Sequence, residues 1–270
     1  MHIAAVPADL SRHYPGGYYS FLPTRRRHPG VPLLRKLWSH WVVSSPDPLA
    51  VAIARRLARG RYAFLQWARL ARARLDSGIL DVGCGSGNWL RRMQRYGFTR
   101  LAGVDPFAPD EIDEEGLSIK KTELSAVAEK FDLIMMNHVL EHIADPAAAL
   151  TQARHRLTPG GRIVVRVPVA KSFLHREYDA AWYNLDAPRH LFIPSLAGMA
   201  HLAERTQLRI LHRGFDSQEI SLWASDKYRR GISGPNFPRI DLDELRLRPR
   251  IRQLDAAGDG DFGVFVLAPV

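Results

Sequence analysis

The chain has 270 residues with 46% hydrophobic side chains, which is enough for one domain with an added segment. Its single cysteine, Cys84, excludes an intrachain disulfide and suits a reducing compartment, while the formal charge of +10 is misleading until it is located along the chain. No apolar run is long enough for a secretory signal or a membrane span, so we expect a cytoplasmic protein.

The excess positive charge lies at the start of the chain. Residues 1–75 contain thirteen Lys or Arg and two Asp or Glu, whereas the remaining residues carry 25 and 26. Within 47–75, seven arginines alternate with Leu, Ile, Phe and Trp at helical spacing. We therefore expect a basic helical N-terminal extension over 1–75. It forms a solvated cap, or a contact for an acidic membrane or lipid phosphate, or a contact for nucleic acid.

Three glycines at alternate positions follow a strand-like run at 79–82. Gly83, Gly85 and Gly87 allow a sharp turn and let a ligand approach main-chain atoms closely. A helix follows directly, and its first N–H groups face the same crevice. Asp105 ends the next strand-like stretch, eighteen positions after Gly87, where α/β nucleotide folds bind ribose hydroxyls.

The spacing of these glycines separates two classes of cofactor. A dinucleotide fingerprint counted from Gly83 would need Gly or Ala where Asn88 stands. Asp81, at the strand end, would repel a pyrophosphate but attract a ligand with ammonium and sulfonium groups. The pattern D-x-G-x-G-x-G resembles the first motif of class I S-adenosylmethionine-dependent methyltransferases. The resemblance implies S-adenosylmethionine as the cofactor.

A longer motif lies in the middle of the chain. A buried strand is predicted at 131–136, and a helix at 147–157 begins after the N-cap Asp145 with Pro146 at its first position. A Gly-containing turn then ends the helix, and the next strand is predicted at 163–167. The series "FDLI…N.VLEH..DP" resembles the fourth and fifth strand region of the same methyltransferase class.

The segment 182–210 carries a narrower resemblance. It is similar to a bacterial subgroup of small-molecule methyltransferases in which a D-x-P-R-H-L segment follows the fifth strand and leads into a helix. That helix is predicted from 194 through 206, and the whole resemblance covers roughly 77–217. The matching residues are Asp186, Pro188, Arg189, His190 and Leu191.

The resemblance and the pattern together predict the architecture. We expect an α/β fold with a Rossmann-like, seven-stranded, mostly parallel sheet and helices on both of its faces. Strand-like runs at 208–217 and 260–270 supply the antiparallel C-terminal pair. The methyltransferase domain is expected over 76–270, and the polar, Pro-broken stretch 218–259 is expected to be an insertion near the acceptor side.

Chemistry disfavours nucleic acid as the acceptor. Methylation at carbon 5 of a pyrimidine ordinarily needs a cysteine nucleophile, and Cys84 lies in the cofactor loop. Enzymes that methylate exocyclic amines place an Asn or Asp followed by Pro-Pro-aromatic after the fourth strand, whereas Asn137 is followed here by His-Val-Leu. Cys and His at zinc-like spacing are absent from the sequence, so we expect no metal.

The resemblance implies a set of cofactor-binding residues. Asp81 and the glycines would lie against the amino acid portion, Asp105 would accept from the ribose hydroxyls, and the residues near Thr122 would lie against adenine. The full set is Asp81, Gly83, Cys84, Gly85, Gly87, Asp105, Pro106, Phe107, Glu123, Leu124, Asn137 and His138.

Candidate catalytic residues follow the fourth and fifth strands, at the carboxyl end of the sheet. His190 is the first choice for a general base, because Arg189 beside it would keep the imidazole neutral. His138 and His142 are further candidates, either as bases or as structural residues. Arg189 either clamps an anionic acceptor or pairs with Asp186 to hold the loop.

These observations predict an S-adenosylmethionine-dependent methyltransferase that acts on a small-molecule, glycan or lipid-linked acceptor, on oxygen. The transfer needs little beyond positioning, because the sulfonium is already activated. Two alternatives stay open. One is methylation of RNA or of a translation component, and the other is a non-catalytic protein that binds the cofactor or its demethylated product.

Overall fold

A computed structural model describes residues 33–56, 62–232 and 246–270. Its eight strands are β1 (Gly78–Val82), β2 (Arg100–Val104), β3 (Ile112–Glu114), β4 (Leu117–Lys120), β5 (Phe131–Asn137), β6 (Leu157–Pro168), β7 (Leu208–Phe215) and β8 (Phe262–Pro269). They form one sheet with the order β3-β4-β2-β1-β5-β6-β8-β7. The predicted strands at 131–136, 163–167, 208–217 and 260–270 are confirmed.

Five central strands, from β4 to β6, run parallel, and β8 lies antiparallel between β6 and β7. The expectation of seven strands was wrong, because β3 adds an eighth as a short antiparallel partner of β4. A two-residue turn joins these strands, and Gly116 in that turn has a φ of +74°. Three largely exposed residues carry no alternation of apolar side chains, so β3 gives no signal in the sequence.

The helices are α1 (Leu33–Ser44), α2 (Pro48–Arg56), α3 (Ala63–Leu70), α4 (Asn88–Arg95), α5 (Pro146–His155), α6 (Phe173–Tyr178), α7 (Leu196–Arg205), α8 (Glu219–Arg229) and α9 (Arg248–Ala256). Helix α5 begins as predicted, since the Asp145 side chain accepts a hydrogen bond from the Ala148 N–H at 2.9 Å. Ser195 caps α7 in the same way through the Gly198 N–H. Helices α8 and α9 occupy parts of the predicted insertion at 218–259, of which 233–245 lies outside the described residues.

Apolar cores lie on both faces of the sheet, as predicted. On one face, α1, α3 and α4 contribute buried side chains such as Val42, Phe64 and Leu90. On the other face, α5 and α7 contribute Leu150 and Met199. The described part of the N-terminal region therefore shares a core with the sheet, while the basic residues of 1–32 lie outside the described residues.

From β1 the chain first adds β2 on one side and later adds β5 on the other. The topological switch point of the sheet therefore lies between β1 and β5. In open parallel sheets a crevice forms at such a point, outside the carboxyl ends of the strands. The loops after β1, β2, β5 and β6 meet at this edge, which is where the sequence predicted the site. In the part of the chain that the structure describes, no helix has the length and apolarity needed to cross a membrane.

Candidate functional site

The turn after β1, residues 83–87, is called the glycine loop here. All three of its glycines have positive φ, at +67°, +53° and +75° for Gly83, Gly85 and Gly87. The Gly83 N–H donates to the Val104 carbonyl at 2.7 Å, which folds the loop over the end of β2. A Cβ at Gly83 would lie 3.1 Å from Val139 Cγ1 and closer still to Cγ2. The loop therefore needs glycine both for its backbone conformation and for its close packing.

Asp105 braces the glycine loop from the end of β2. Its Oδ2 accepts a hydrogen bond from the Gly85 N–H, and its Oδ1 accepts one from the Phe107 N–H, each at 2.8 Å. A carboxylate has about four acceptor positions, so the oxygens keep capacity for two hydroxyl donors. The neighbouring Pro106 and Phe107 are exposed, and Phe107 keeps 57% of its surface in solvent.

Two polar side chains lie at the ends of the adjacent strands β1 and β5. Asp81 is 3% exposed, and burial together with the charge of Asp105 raises its pKa to about 8. Asn137, at the end of β5, has a buried Oδ1 without a hydrogen-bond partner among the described residues. A ligand ammonium would satisfy both groups, because it supplies donors and a compensating positive charge. These residues therefore fit the amino acid end of S-adenosylmethionine.

The other predicted cofactor residues differ in exposure. Cys84 is buried in the glycine loop, and burial raises the pKa of its thiol, so it is not a ready nucleophile. Glu123 is exposed, whereas Leu124 is buried and begins a short 3-10 turn. Both follow β4, on the side of the crevice opposite Asn137.

His138 belongs to a buried network that starts on the long strand β6. It has a φ of +57°, and its Nε2 contacts Nη1 of Arg166. Arg166 also donates from Nε to Asp216 Oδ1 at 2.6 Å, and both members of this ion pair are almost completely buried. Because Arg166 donates to the Nε2 lone pair, His138 is poorly placed to accept a substrate proton. Burial and the nearby Arg166 cation both lower the pKa of His138.

Glu141 joins the turn after β5 to the predicted D-x-P-R-H-L segment. Its carbonyl oxygen accepts hydrogen bonds from the N–H groups of Leu191, at 2.7 Å, and Phe192, at 3.1 Å. Its fully buried side chain places Oε1 at 3.3 Å from His138 Nδ1, while Oε2 has no partner among the described residues. Burial raises the pKa of this carboxyl group to about 8.

His142 and His190 come together although they are far apart in the sequence. Their ring centroids are 4.7 Å apart. Each Nδ1 faces a backbone carbonyl, that of Arg189 at 3.0 Å for His142 and that of Asn184 at 2.7 Å for His190. A nitrogen facing a carbonyl must carry the proton, so Nε2 is the unprotonated nitrogen of each neutral ring. Nε2 of His190 lies 3.7 Å from Asp186 Oδ2. Glu141, His142 and His190 are called the histidine cluster from here on.

Both histidines of the cluster are neutral at physiological pH. Burial, as the largest cause, lowers the pKa of each ring to about 4. The predicted role of Arg189 in keeping His190 neutral is therefore secondary to desolvation. Arg189 itself pairs with Asp186, with Nη2 at 2.5 Å from Oδ1. This is the second of its two predicted roles, in which the pair holds the loop.

Several buried polar residues around the cluster were not predicted from the sequence. Arg166 and Asp216 form the ion pair described above, and Asp261 accepts from Asn184 Nδ2 at 2.6 Å beneath the 182–191 segment. The one available signal was Arg166, a charged residue in the middle of the apolar run "IVVRVP". Its partner lies 50 residues further along the chain, so no local pattern could reveal the pair.

Comparison with known proteins agrees with this geometry. Residues 52–213, more than half of the chain, match the methyltransferase-domain family. The ubiquinone biosynthesis O-methyltransferase of Cereibacter sphaeroides is 37% identical over 119 residues, 38% of this chain and 47% of that protein. The tRNA U34 carboxymethyltransferase of Campylobacter fetus is 24% identical over 192 residues, 62% of this chain and 66% of that protein. The chain thus spans about half the length of the first of these curated relatives.

A solved structure shows the same fold. It is a complex between the Haloferax volcanii Trm112 methyltransferase activator and a methyltransferase, and the match has a TM-score of 0.51 and 18% identity. The match covers 86% of this chain and 96% of that one. At this identity the likeness concerns the fold alone.

The chain belongs to the methyltransferase-domain family. More particularly, this membership agrees with the predicted S-adenosylmethionine-dependent methyltransferase and with S-adenosylmethionine as its cofactor.

Proposed function

We propose that the protein transfers the methyl group of S-adenosylmethionine to an oxygen atom of a small-molecule, glycan or lipid-linked acceptor. The observation that carries this proposal is the histidine cluster at the carboxyl ends of the strands. Backbone carbonyls there hold two imidazoles in the tautomer whose Nε2 is unprotonated, beside a buried carboxyl group. A hydroxyl group is the acceptor chemistry that such a site recognises, because it can donate its proton to nitrogen.

One half of the crevice binds the methyl donor, and the other half binds the acceptor. Asp81, Asn137, Asp105 and the glycine loop hold the methyl donor at the ends of β1, β2 and β5, and the cofactor supplies an activated methyl group. The histidine cluster, on the loop after β5 and on the 186–191 segment, takes the acceptor hydroxyl. The main demand on the chain is then to hold oxygen and methyl carbon at attack distance in a site that excludes water.

Comparison supports an oxygen acceptor, since the relatives at 34–38% identity include ubiquinone biosynthesis O-methyltransferases. The D-x-P-R-H-L segment supports our assignment of the chain to a bacterial small-molecule subgroup. The tRNA-modifying relatives favour RNA as the second candidate. Burial of Cys84 weighs against the cysteine-dependent route to a pyrimidine carbon.

Helix α1 supports the lipid-linked part of the proposal. Leu33, Leu34 and Leu37 are 55–79% exposed, beside the exposed cations Arg35 and Lys36. An apolar and basic surface of this kind suits contact with an anionic membrane. We propose that this surface brings the crevice to acceptors that carry a lipid.

Label transfer tests the proposed function. The purified chain is incubated with methyl-labelled S-adenosylmethionine and a cell extract, which is then separated into lipid, glycan, small-molecule, RNA and protein fractions. We expect label in one of the first three fractions, in an alkali-stable ether rather than in RNA. The His190→Gln variant should lose at least about tenfold in rate, while His201→Gln, exposed on α7, should retain the rate. Label in RNA, or equal rates for both variants, would contradict the proposal.

A further inference from the structure

We propose that the histidine cluster binds a divalent metal ion of the zinc class, with Glu141, His142 and His190 as its protein ligands. One potential ligand atom from each residue lies within 4.8 Å of the others. A metal was not expected from the sequence, because two of these ligands are adjacent and the third follows 48 positions later, outside any zinc-like spacing. The fold brings them together through the hydrogen bonds from Leu191 and Phe192 to the Glu141 carbonyl.

The orientation of the two imidazoles is that of metal ligands. A ligating histidine presents one nitrogen to the metal and donates the N–H of the other to a carbonyl or carboxylate, which fixes its tautomer. His142 donates from Nδ1 to the Arg189 carbonyl, and His190 donates from Nδ1 to the Asn184 carbonyl. Both rings therefore have the outer hydrogen bond in place, with Nε2 as the ligand atom.

Glu141 supplies an independent observation that points to a cation. Its side chain is fully buried, and Oε2 has no hydrogen-bond partner among the described residues. An oxygen in that position is costly unless a proton or a cation compensates it. A divalent ion beside Oε2 would provide this compensation, and it would keep the carboxyl group ionised.

The donor set selects the kind of ion. Two imidazole nitrogens and one carboxylate oxygen are a usual set for Zn²⁺ in sites that keep an open position, whereas Mg²⁺ prefers oxygen ligands and retained water. Tetrahedral Zn²⁺ with bonds of about 2.0–2.1 Å needs its ligand atoms about 3.4 Å apart. Binding would therefore draw the three side chains together from their present separations of up to 4.8 Å.

The open position gives the ion a role in methyl transfer, and that role rests on the proposed function. With both Nε2 lone pairs on the ion, the imidazoles would no longer accept the acceptor's proton. An acceptor hydroxyl would instead release its proton to bulk water as it binds the ion, because a divalent cation stabilises the resulting oxyanion. Metal binding itself does not depend on the identity of the acceptor, so the two can be tested separately.

Calorimetric titration tests metal binding directly. The chain is freed of metal with a chelator and titrated with Zn²⁺, and each variant is first checked for a cooperative thermal transition. We expect Glu141→Gln and His190→Gln to lose one site or weaken it at least about hundredfold, and the exposed His201→Gln control to keep it. Glu141→Gln preserves the side-chain shape, so it carries the test if His190→Gln does not fold.

Cobalt gives a second readout without any acceptor. The Co²⁺ form should show the visible absorption of a four- or five-coordinate site, and this absorption should be lost in Glu141→Gln but not in His201→Gln. Identical Zn²⁺ titrations and Co²⁺ spectra for the wild type and both ligand variants would overturn the proposal. If Zn²⁺ binds as expected but no label is transferred, the metal site is supported and the proposed function is contradicted. If the metal-free protein transfers label as fast as the zinc-bound protein, the catalytic role of the ion is contradicted.

Discussion

The glycine loop and the histidine cluster lie in one crevice but are built in opposite ways. The glycine loop comes from one contiguous segment, and its interactions are largely main-chain hydrogen bonds, to the Val104 carbonyl and to the Asp105 carboxylate. The histidine cluster comes from segments 48 residues apart and depends on side chains. Its surroundings are a buried network that reaches β6 through Arg166. The donor side is thus set by local backbone geometry, whereas the acceptor side is set by long-range packing.

This difference has a functional meaning. A main-chain site can hold a constant ligand, because glycines and one or two acids suffice for it. A site of side chains on variable loops can be altered for each acceptor without disturbing the donor side. Variants in each half of the crevice should therefore have separable effects.

The buried network behind the histidine cluster gives the largest effect. Arg166→Met should lower the free energy of unfolding by about 3–5 kcal/mol, because it leaves Asp216 buried without its cation. Arg176→Met is the matched control, since its ion pair with Asp259 is half-exposed and should contribute about 0–1 kcal/mol. Urea denaturation of both variants measures the difference. Equal losses would mean that the network does not support the acceptor side.

The packing of the glycine loop gives the next effect. Gly83→Ala should lower the free energy of unfolding by about 2–3 kcal/mol and abolish tight cofactor binding, because both the positive φ and the contact with Val139 are then strained. Gly160→Ala shares a positive φ but meets no atom within 4 Å, so it should cost about 1 kcal/mol and leave binding unchanged. Denaturation and S-adenosylhomocysteine titration check the pair. A binding loss in both variants would remove the special role of the contact.

The acid at the end of β1 should make cofactor binding depend on pH. Asp81 has a pKa of about 8, so at lower pH it must release a proton before it can pair with an ammonium group. Affinity for S-adenosylhomocysteine should therefore rise with pH, by about tenfold per unit between pH 6 and 7, and level off above 8. Asp81→Asn should remove the slope. Calorimetry in buffers of different ionisation enthalpy would detect the released proton, and its absence in the wild type would refute the assignment.

The smallest effect is expected at the rim of the donor side. We propose that the exposed ring of Phe107 packs on the adenine of the cofactor. Phe107→Ala should therefore weaken S-adenosylhomocysteine binding by about fivefold, or about 1 kcal/mol. Unfolding should change by no more than about 0.5 kcal/mol, because the ring is largely exposed. Leu211→Ala, another half-exposed apolar residue, should change neither quantity. An unchanged affinity in Phe107→Ala would move adenine away from this residue.

The sequence was informative where interactions are local. The run at 131–136 is apolar and bounded by polar residues, so the strand could be predicted, and Asp145 with Pro146 marked the start of α5. The glycine pattern predicted the donor loop for the same reason. By contrast, no local pattern predicted that Glu141, His142 and His190 would converge, that backbone carbonyls would fix two tautomers, or that Asp216 would pair with Arg166. These features depend on how distant segments pack.

The assignment of the donor site rests on Asp105, which links the glycine loop to the proposed ribose site. Calorimetric titration of S-adenosylhomocysteine against the wild type, Asp105→Ala and Asp113→Ala tests it most directly, since Asp113 is an exposed acid on β3. We expect tight binding to the wild type and to Asp113→Ala, and at least about hundredfold weaker binding to Asp105→Ala, about 2.7 kcal/mol. Tight binding that survives in Asp105→Ala would contradict the cofactor site described here.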